Sequence, residues 1–358
     1  MQIAEIILLF LSFIMMIPTL ASLTRFDHWW IRGFDFPRVQ ISLLLVLLIL
    51  ISIILYSFEE PWQFIILLAL FLSLLYQIKK IFPFTPLAKK DVLQFSGSKS
   101  SRNLSILVSN VLTQNTNYGK LLKLVKDRNP DILLTLESDK RWEEELEVLE
   151  KDYPYTVKVP QDNLYGMHLY SKLKLEEEKV RYIVQDDIPS IDGYLRLDEN
   201  FRIRFHCLHP MPPSPSEADT STNRDAELLM LGRDIRPDKE SVVVFGDLND
   251  VAWSRTTKLF KKMSGLLDPR VGRGFFNTFH ADYFLLRWPL DHIFHSNDFT
   301  LIDIASERHI GSDHFPMFIK LNYEPRAENI QQTPEADKED KKRVEEKIDD
   351  ANPREQEV

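Results

Sequence analysis

Cysteine is almost missing from this 358-residue chain: Cys207 is the only one, so no disulfide can staple the protein within itself. Cys207 sits in an apolar, strand-like run and reads as buried filler rather than a nucleophile, because nothing near it in sequence would depress a thiol pKa. Any Lys/Arg cluster able to track a nucleic-acid backbone is missing too. The net charge is −9 and residues 91–323 are net acidic, which weighs against non-specific duplex binding. A bound divalent metal can supply positive charge locally, so duplex binding stays open. Charge of either sign is absent from residues 6–23, 41–58 and 62–78, runs that approach the ~17–25 apolar residues of a membrane-crossing helix.

Burying three such runs in a soluble core would take an unusually large apolar partner, so residues 1–80 are expected to be a three-helix transmembrane anchor with the lipid bilayer as its partner. Glu59, Glu60 and Pro61 separate the second and third runs as a tight hairpin, and Trp29, Trp30 and Trp62 fall where interfacial aromatics sit. A cleavable signal peptide would need a basic start, whereas residues 1–5 hold one Glu and no Lys or Arg. With three spans, Arg25, Arg32, Arg38, Lys79, Lys80, Lys89 and Lys90 share one face and no basic residue lies on the other. The positive-inside rule then places the following domain in the cytoplasm.

Beyond a linker at 81–96, residues 97–323 have an ordinary globular composition. Apolar β-rich runs at 104–109, 132–136, 167–170, 203–208 and 242–245 alternate with helical patterns, such as Leu121, Leu122, Leu124 and Val125 before the Asn129, Pro130 break. The pattern is α/β. Residues 210–215 (PMPPSP) form a stiff loop directly after His209. Residues 324–358 read as a charged disordered tail with a transient helix around 338–348.

Chemistry-bearing residues cluster at the ends of apolar runs. In 242–250 (VVVFGDLND) a strand ends in Gly and presents Asp247 and then Asn249, which alternation along an extended chain points the same way. A carboxylate and an amide side by side suit a water-activating base and a phosphate-oxygen donor, although Asp and Asn after a strand are as often plain turn formers. Residues 311–316 (GSDHFP) offer the hard oxygen of Asp313 and the imidazole of His314, and 290–294 (LDHIF) embed Asp291 where a buried acid needs a partner.

Seven short motifs occur in order: Asn110 in ILVSNVL, Glu137 in ILLTLES, Tyr165 and Gly166 in YGMHLYSK, His209 after a strand, GDLN, LDHIF and GSDHFP. Together they resemble the endonuclease/exonuclease/phosphatase family (DNase I-like), in a membrane-anchored bacterial form. The resemblance implies a two-sheet β-sandwich flanked by helices and a phosphoester hydrolase that uses Mg2+, with Mn2+ as an alternative. It assigns Glu137, Asn110 and Asp313 to the metal, Asp247 to the attacking water, Asn249 to phosphate, His209 and His314 to neutralising phosphate charge, and Asp291 to orienting His314. Leu136 and Ser109 stand where many members carry Gln and an aromatic residue, a departure that touches nuclease specificity more than catalysis. Trp253 is assigned to the pocket lining, with packing beneath the site as the alternative. For location, the resemblance implies an integral protein of a bacterial plasma (inner) membrane, and analogy with three-span members points to an exterior domain, against the charge count.

Three functions follow. A metal-dependent phosphoesterase acting on a lipid-linked or small phosphate is favoured, because tethering concentrates membrane substrates. A nuclease of the same chemistry is the alternative. A noncatalytic membrane scaffold is the third, opposed by the presence of Glu137, Asp247, Asp291 and His314 together. No obligate protein partner is evident from the sequence.

Overall fold

The computed structural model of the chain describes residues 3–97, 102–235, 237 and 240–351. It opens with helix α1 (Ile3–Leu23), the single turn α2 (Trp29–Arg32), α3 (Arg38–Leu55) and α4 (Pro61–Ile81). The three long helices are each long and apolar enough to cross a membrane. They pack through Leu8, Ile41, Leu45, Leu48, Ile66 and Leu70 and leave Phe10, Leu43 and Ile65 exposed on their outer faces. Water would penalise that surface at ~25 cal/mol per Å2 and a bilayer would not. α3 begins and ends three residues before the expected run 41–58, with Arg38 buried at its start and Tyr56 extended just past its end. The Arg38 guanidinium pairs with Asp35 and donates to Gln77 Oε1 at 2.7 Å and Ser22 Oγ at 2.9 Å. This polar knot joins α1, α3 and α4 at the end facing the domain. Polar groups between apolar helices are tolerated when they satisfy one another in this way.

The remaining elements are β1 (Asn103–Asn110), α5 (Tyr118–Arg128), β2 (Ile132–Leu136), α6 (Lys140–Leu146), β3 (Tyr155–Val159), β4 (Met167–Ser171), β5 (Lys174–Arg181), β6 (Ser190–Asp198), β7 (Phe201–Leu208), α7 (Thr222–Asp234), β8 (Val242–Asp247), α8 (Arg255–Ser264), β9 (Asp291–His295), β10 (Phe299–Ser306), β11 (Met317–Tyr323) and α9 (Lys338–Ala351). They form the expected two-sheet sandwich, with strand orders β10-β11-β1-β2-β4-β3 and β5-β6-β7-β8-β9. Ile106, Leu134, Phe205, Val243, Phe245, Ile293 and Ile319 fill the space between the sheets. Helices α5 and α6 cover one outer face and α7 and α8 the other. Each sheet holds one parallel pair, β1 with β2 and β7 with β8, and the crossovers are α5 and α7.

Two expectations are corrected. Residues 81–96 are not a free linker: Val92 is buried in the sandwich core, and Phe95 N–H and Leu93 O bond Leu301 O and N–H at 2.8 and 2.9 Å, extending the sheet beyond β10. The helix expected as transient around 338–348 in a disordered tail is instead the docked α9, whose Val344 and Ile348 bury against Leu229 and Leu259. Its Lys347 pairs with Asp27, and with Asp225 at 3.4 Å. Two apolar residues at i, i+4 are a faint signal among charges, and the helix draws its stability from docking. Residues 352–358 of that predicted tail lie outside the described residues.

Glu227, on α7, is buried with Oε1 unpartnered, and burial pushes its pKa up to about 8. A carboxyl raised above its unfolded value contributes stability that is complete below that value, ~4.3, and is lost as pH climbs through the folded one. Glu227→Gln is therefore expected to match the parent near pH ~4 and to exceed it at pH ~8 and above, by up to a few kcal/mol. Melting temperatures of the full chain across that range test this, and parallel curves would refute it.

Candidate active site

Topology brings the motif residues to one edge of the sandwich. In a parallel pair both strands end on the same side, so Asn110 at the end of β1 lies beside Leu136, and Glu137 follows. In the other sheet Leu208 pairs with Gly246, which sets His209 next to Asp247. β9 runs antiparallel to β8, and its first residue, Asp291, is paired with Asp247. β11 runs antiparallel to β1, so the segment entering it delivers His314 to the same edge.

Gly246 makes the approach feasible. Its φ is +149°, and a Cβ there would lie 1.9 Å from Leu208 O. Gly246→Ala is expected to cost more than ~4 kcal/mol, read as a fall in the denaturation midpoint, and an unchanged midpoint would refute the close packing of β7 on β8. Asn249 reaches the site by a turn, not by the strand alternation expected from sequence. β8 stops at Asp247, Asn249 adopts φ +50°, and its N–H folds back onto Asp247 Oδ1 at 2.9 Å. Glu137 (φ +56°), Leu112 (φ +60°) and Leu164 (φ +71°) share this left-handed conformation, and with Asn249 they line a cavity of about 340 Å3. His209, Asp313 and His314 add to its polar lining, with Tyr165, Ser214 and Glu217, while Asn110, Asp247 and Asp291 are buried. A larger cavity, about 470 Å3, on the outer side of β5, β6 and β7 contains none of the seven motifs' polar residues.

His314 sits between two acids: Nδ1 is 2.8 Å from Asp291 Oδ2 and Nε2 is 3.4 Å from Asp247 Oδ2. Burial opposes its charge, but Asp247 and Asp291 together raise its pKa to about 10. Asp247 is likewise disfavoured as an anion by burial, yet His314 and His209 hold its pKa below the ordinary value. Its Oδ2 also accepts Asn110 Nδ2 at 3.2 Å. His209 differs from expectation. Its Nε2 is 4.0 Å from Asp247, and burial takes its pKa down to about 4, so in the free protein it is a neutral donor and not a charge neutraliser.

Glu137 accepts Asn110 Nδ2 at 2.7 Å on Oε1, while Oε2 is shielded from solvent and unpartnered. Burial is the main cause that raises its pKa to about 7. Asp247, Asp291 and His314 have ligand atoms within 4.8 Å of one another, but both imidazole nitrogens already face carboxylates. Two carboxylate oxygens here are buried and unpartnered, Glu137 Oε2 and Asp291 Oδ1, and Glu137 lines the same cavity as Asp313. Glu137, Asp247, Asp291 and Asp313 gather around the His314 imidazolium, and burial raises the pKa of Glu137 and of Asp291, so a cation among them would favour their ionised forms. The donor set, hard oxygens with two left over, fits a divalent cation.

Some neighbours carried no sequence signal. Arg224, buried on α7, donates from Nη1 to Asn249 O at 2.7 Å and so braces the turn that aims Asn249. Tyr165 OH donates to Glu217 at the rim. Tyr165 appeared in a motif without a role, and Glu217 lies in the loop after PMPPSP. Phe36 and Phe279 line the cavity, the former from the loop before α3. Trp253 does not line it. Its indole N–H donates to Asp35 O at 2.7 Å and its ring packs on Phe84 and Phe275, locking the domain onto the N-terminal helices.

The fold is similar to that of humanized D. rerio TDP2, with 17% identity over 62% of this chain and 99% of that one at a TM-score of 0.51. D. rerio TDP2 complexed with single-strand DNA product is similar at 16% identity, 62% and 99% coverage and a TM-score of 0.51. An endonuclease/exonuclease/phosphatase from Beutenbergia cavernae is similar at 14% identity, 63% and 72% coverage and a TM-score of 0.50. None of the curated proteins compared with the chain matches it in sequence. The sequence pattern of the Endonuclease/Exonuclease/phosphatase family matches residues 107–314, a span that runs from β1 to His314 and encloses every polar residue of the cavity. Enzymes of that family hydrolyse phosphoester bonds and depend on divalent metals. With the sandwich, the ordered motifs and their convergence in one cavity, that match places the chain in the endonuclease/exonuclease/phosphatase family.

Proposed function

We propose that this chain is a membrane-anchored phosphoesterase that uses Mg2+, or Mn2+, and direct water attack on a lipid-linked or small phosphoester. The observation that carries the reading is the unspent Glu137 oxygen facing the same cavity as the Asp291–His314–Asp247 relay. Glu137 and Asp313 would hold the metal, with Asn110 fixing the Glu137 carboxylate. When bound, the cation polarises the phosphoryl oxygens and lowers the charge barrier to attack.

This chain's own groups supply the rest. Asp247 stays ionised, so it can orient a water and take its proton as the water oxygen bonds phosphorus and the ester P–O bond breaks, the departing alkoxide taking a proton from solvent. Asn249 Nδ2, held at 3.0 Å from Pro210 O in the free protein, turns to a phosphoryl oxygen when substrate arrives. His314 keeps its positive charge through neutral pH and meets the charge that builds on phosphate, and Asp291 fixes its ring. His209 donates a hydrogen bond from a neutral imidazole.

Three apolar helices would hold the site at a membrane surface, where lipid phosphates are concentrated. The seven basic residues flank these helices on the domain's side, which favours a cytoplasmic domain. A reporter at the C-terminus that signals only from the exterior would reverse this. Nucleic acid is the second reading: D. rerio TDP2 has been seen with single-strand DNA product. The net acidity of residues 91–323 opposes it here.

The test is a substrate panel for the full chain in nanodiscs with Mg2+ or Mn2+: an aryl phosphodiester, phosphatidylglycerol, a polyprenyl diphosphate, plasmid DNA and RNA. Turnover of the lipid and aryl substrates is expected. Preference for DNA or RNA would overturn the lipid reading, and turnover of none would overturn the enzyme.

A further inference from the structure

The connection between α8 and β9 carries an apolar tip that the proposed chemistry does not use. Tyr283, Phe284, Leu285 and Leu286 follow one another in sequence, and Phe284 and Leu285 are 78% and 74% exposed. Contiguous exposed apolar side chains on a soluble surface mark a contact with something else. Their position says what. Gln40, in the first turn of α3, donates from Nε2 to Leu285 O at 2.7 Å. Phe284 and Leu285 share a groove with Val39 and Leu43 of α3. Leu43 is five residues past Arg38, so ~7.5 Å further along the helix, and its side chain is 66% exposed on the face a bilayer would cover. The tip therefore lies level with the lipid-facing start of α3, not above it.

The same connection reaches the cavity. Phe279 lines it and packs on His314, with ring centroids 5.0 Å apart. Ala281 N–H bonds Asp313 O at 2.6 Å. Phe36, just ahead of α3, also lines the cavity and meets Trp288 edge-on at 5.7 Å. One side of the cavity is thus built from residues immediately flanking a membrane helix and a membrane-level tip.

Resting on the phosphoesterase reading, we propose that the tip at residues 283–286 is inserted in the bilayer and that the cavity is filled from the membrane surface. The substrate is a phosphoester whose apolar part stays in lipid beside Phe284 while its phosphate passes Phe36 and Phe279 to reach Glu137 and His314. Aromatic and aliphatic tips gain from entering the interface, and placing the tip beside a spanning helix removes most of the entropy cost of docking it.

Two measurements on the full chain in phosphatidylcholine–phosphatidylglycerol nanodiscs test this. Phe284→Cys labelled with an environment-sensitive fluorophore is selective, because Cys207 is buried. Quenching by doxyl-labelled lipid and protection from aqueous iodide are expected. Quenching by iodide alone would overturn insertion and leave the tip for a protein partner or a second copy. In the second, the Phe284→Ser, Leu285→Ser double variant is expected to lose roughly tenfold in turnover of phosphatidylglycerol or polyprenyl diphosphate, whichever the parent hydrolyses, and to keep its rate on a soluble aryl phosphodiester within about twofold. Equal loss on both substrate types, or no loss on lipid, would overturn filling from the membrane. A parent inactive on every substrate would instead refute the hydrolase reading, while the fluorophore still decides where the tip lies.

Discussion

Replacing Asp247 by Asn is expected to lower kcat/KM for phosphoester hydrolysis by about 10²- to 10⁴-fold, the range for removing a positioned general base. The amide keeps one oxygen. If that oxygen retains the Asn249 N–H, bonded at 2.9 Å, the new NH2 faces Asn110 Nδ2 and His314 Nε2, which the native oxygen meets at 3.2 and 3.4 Å. Donors would then oppose donors, so modest destabilisation accompanies the kinetic loss. A second readout separates the role from general damage. His314 owes its pKa of about 10 to two carboxylates working against burial. With one removed, the alkaline limb of the residual pH–rate profile moves to lower pH. A variant within tenfold of the parent, with the limb unmoved, would remove Asp247 from the mechanism.

Glu137→Gln is expected to abolish productive metal binding and reduce activity by ~10³-fold or more, equivalent to several kcal/mol of transition-state stabilisation. Gln is nearly isosteric and can keep the Asn110 contact, so folding should survive. The parent should gain thermal stability with Mg2+ or Mn2+, ~2.7 kcal/mol at a hundredfold excess over Kd, and the variant should gain almost none. The parent's affinity should depend on pH. Burial, opposed by Asn110 and His314, leaves the Glu137 pKa at about 7, so the cation must displace a proton, and affinity falls about tenfold per unit below that value. Titration calorimetry with Mn2+ at two pH values checks both claims. An equal metal-induced shift in parent and variant would assign the cation to other ligands.

The site was unusually readable because it is made of strand ends. An apolar run that stops at Gly, Asn or Glu is a local pattern, and 132–136 and 242–245 could be read without neighbours. Parallel pairing then carries Asn110, Glu137, His209 and Asp247 to a single edge. Arg224 could not be read this way. It sits in the first turn of α7, and nothing local distinguishes a guanidinium that braces Asn249 from one facing solvent. Trp253 and Phe36 were misplaced or missed for a related reason. Both lie where the helical bundle meets the domain, and a sequence split into anchor, linker and domain contains no information about that contact.

By itself the sequence determined three charge-free helical runs, an α/β domain and an ordered set of acids, amides and histidines, since each depends on spacing along the chain. Tertiary structure alone decided which oxygens are unspent, which histidine is charged and which way the cavity faces. Ionisation depends on burial and on carboxylates brought from distant strands: His209 and His314 are the same residue type, yet they settle near 4 and 10. Docking of the domain on α3, through Trp253, Gln40 and the 283–286 tip, likewise exists only when segments more than two hundred residues apart are brought together.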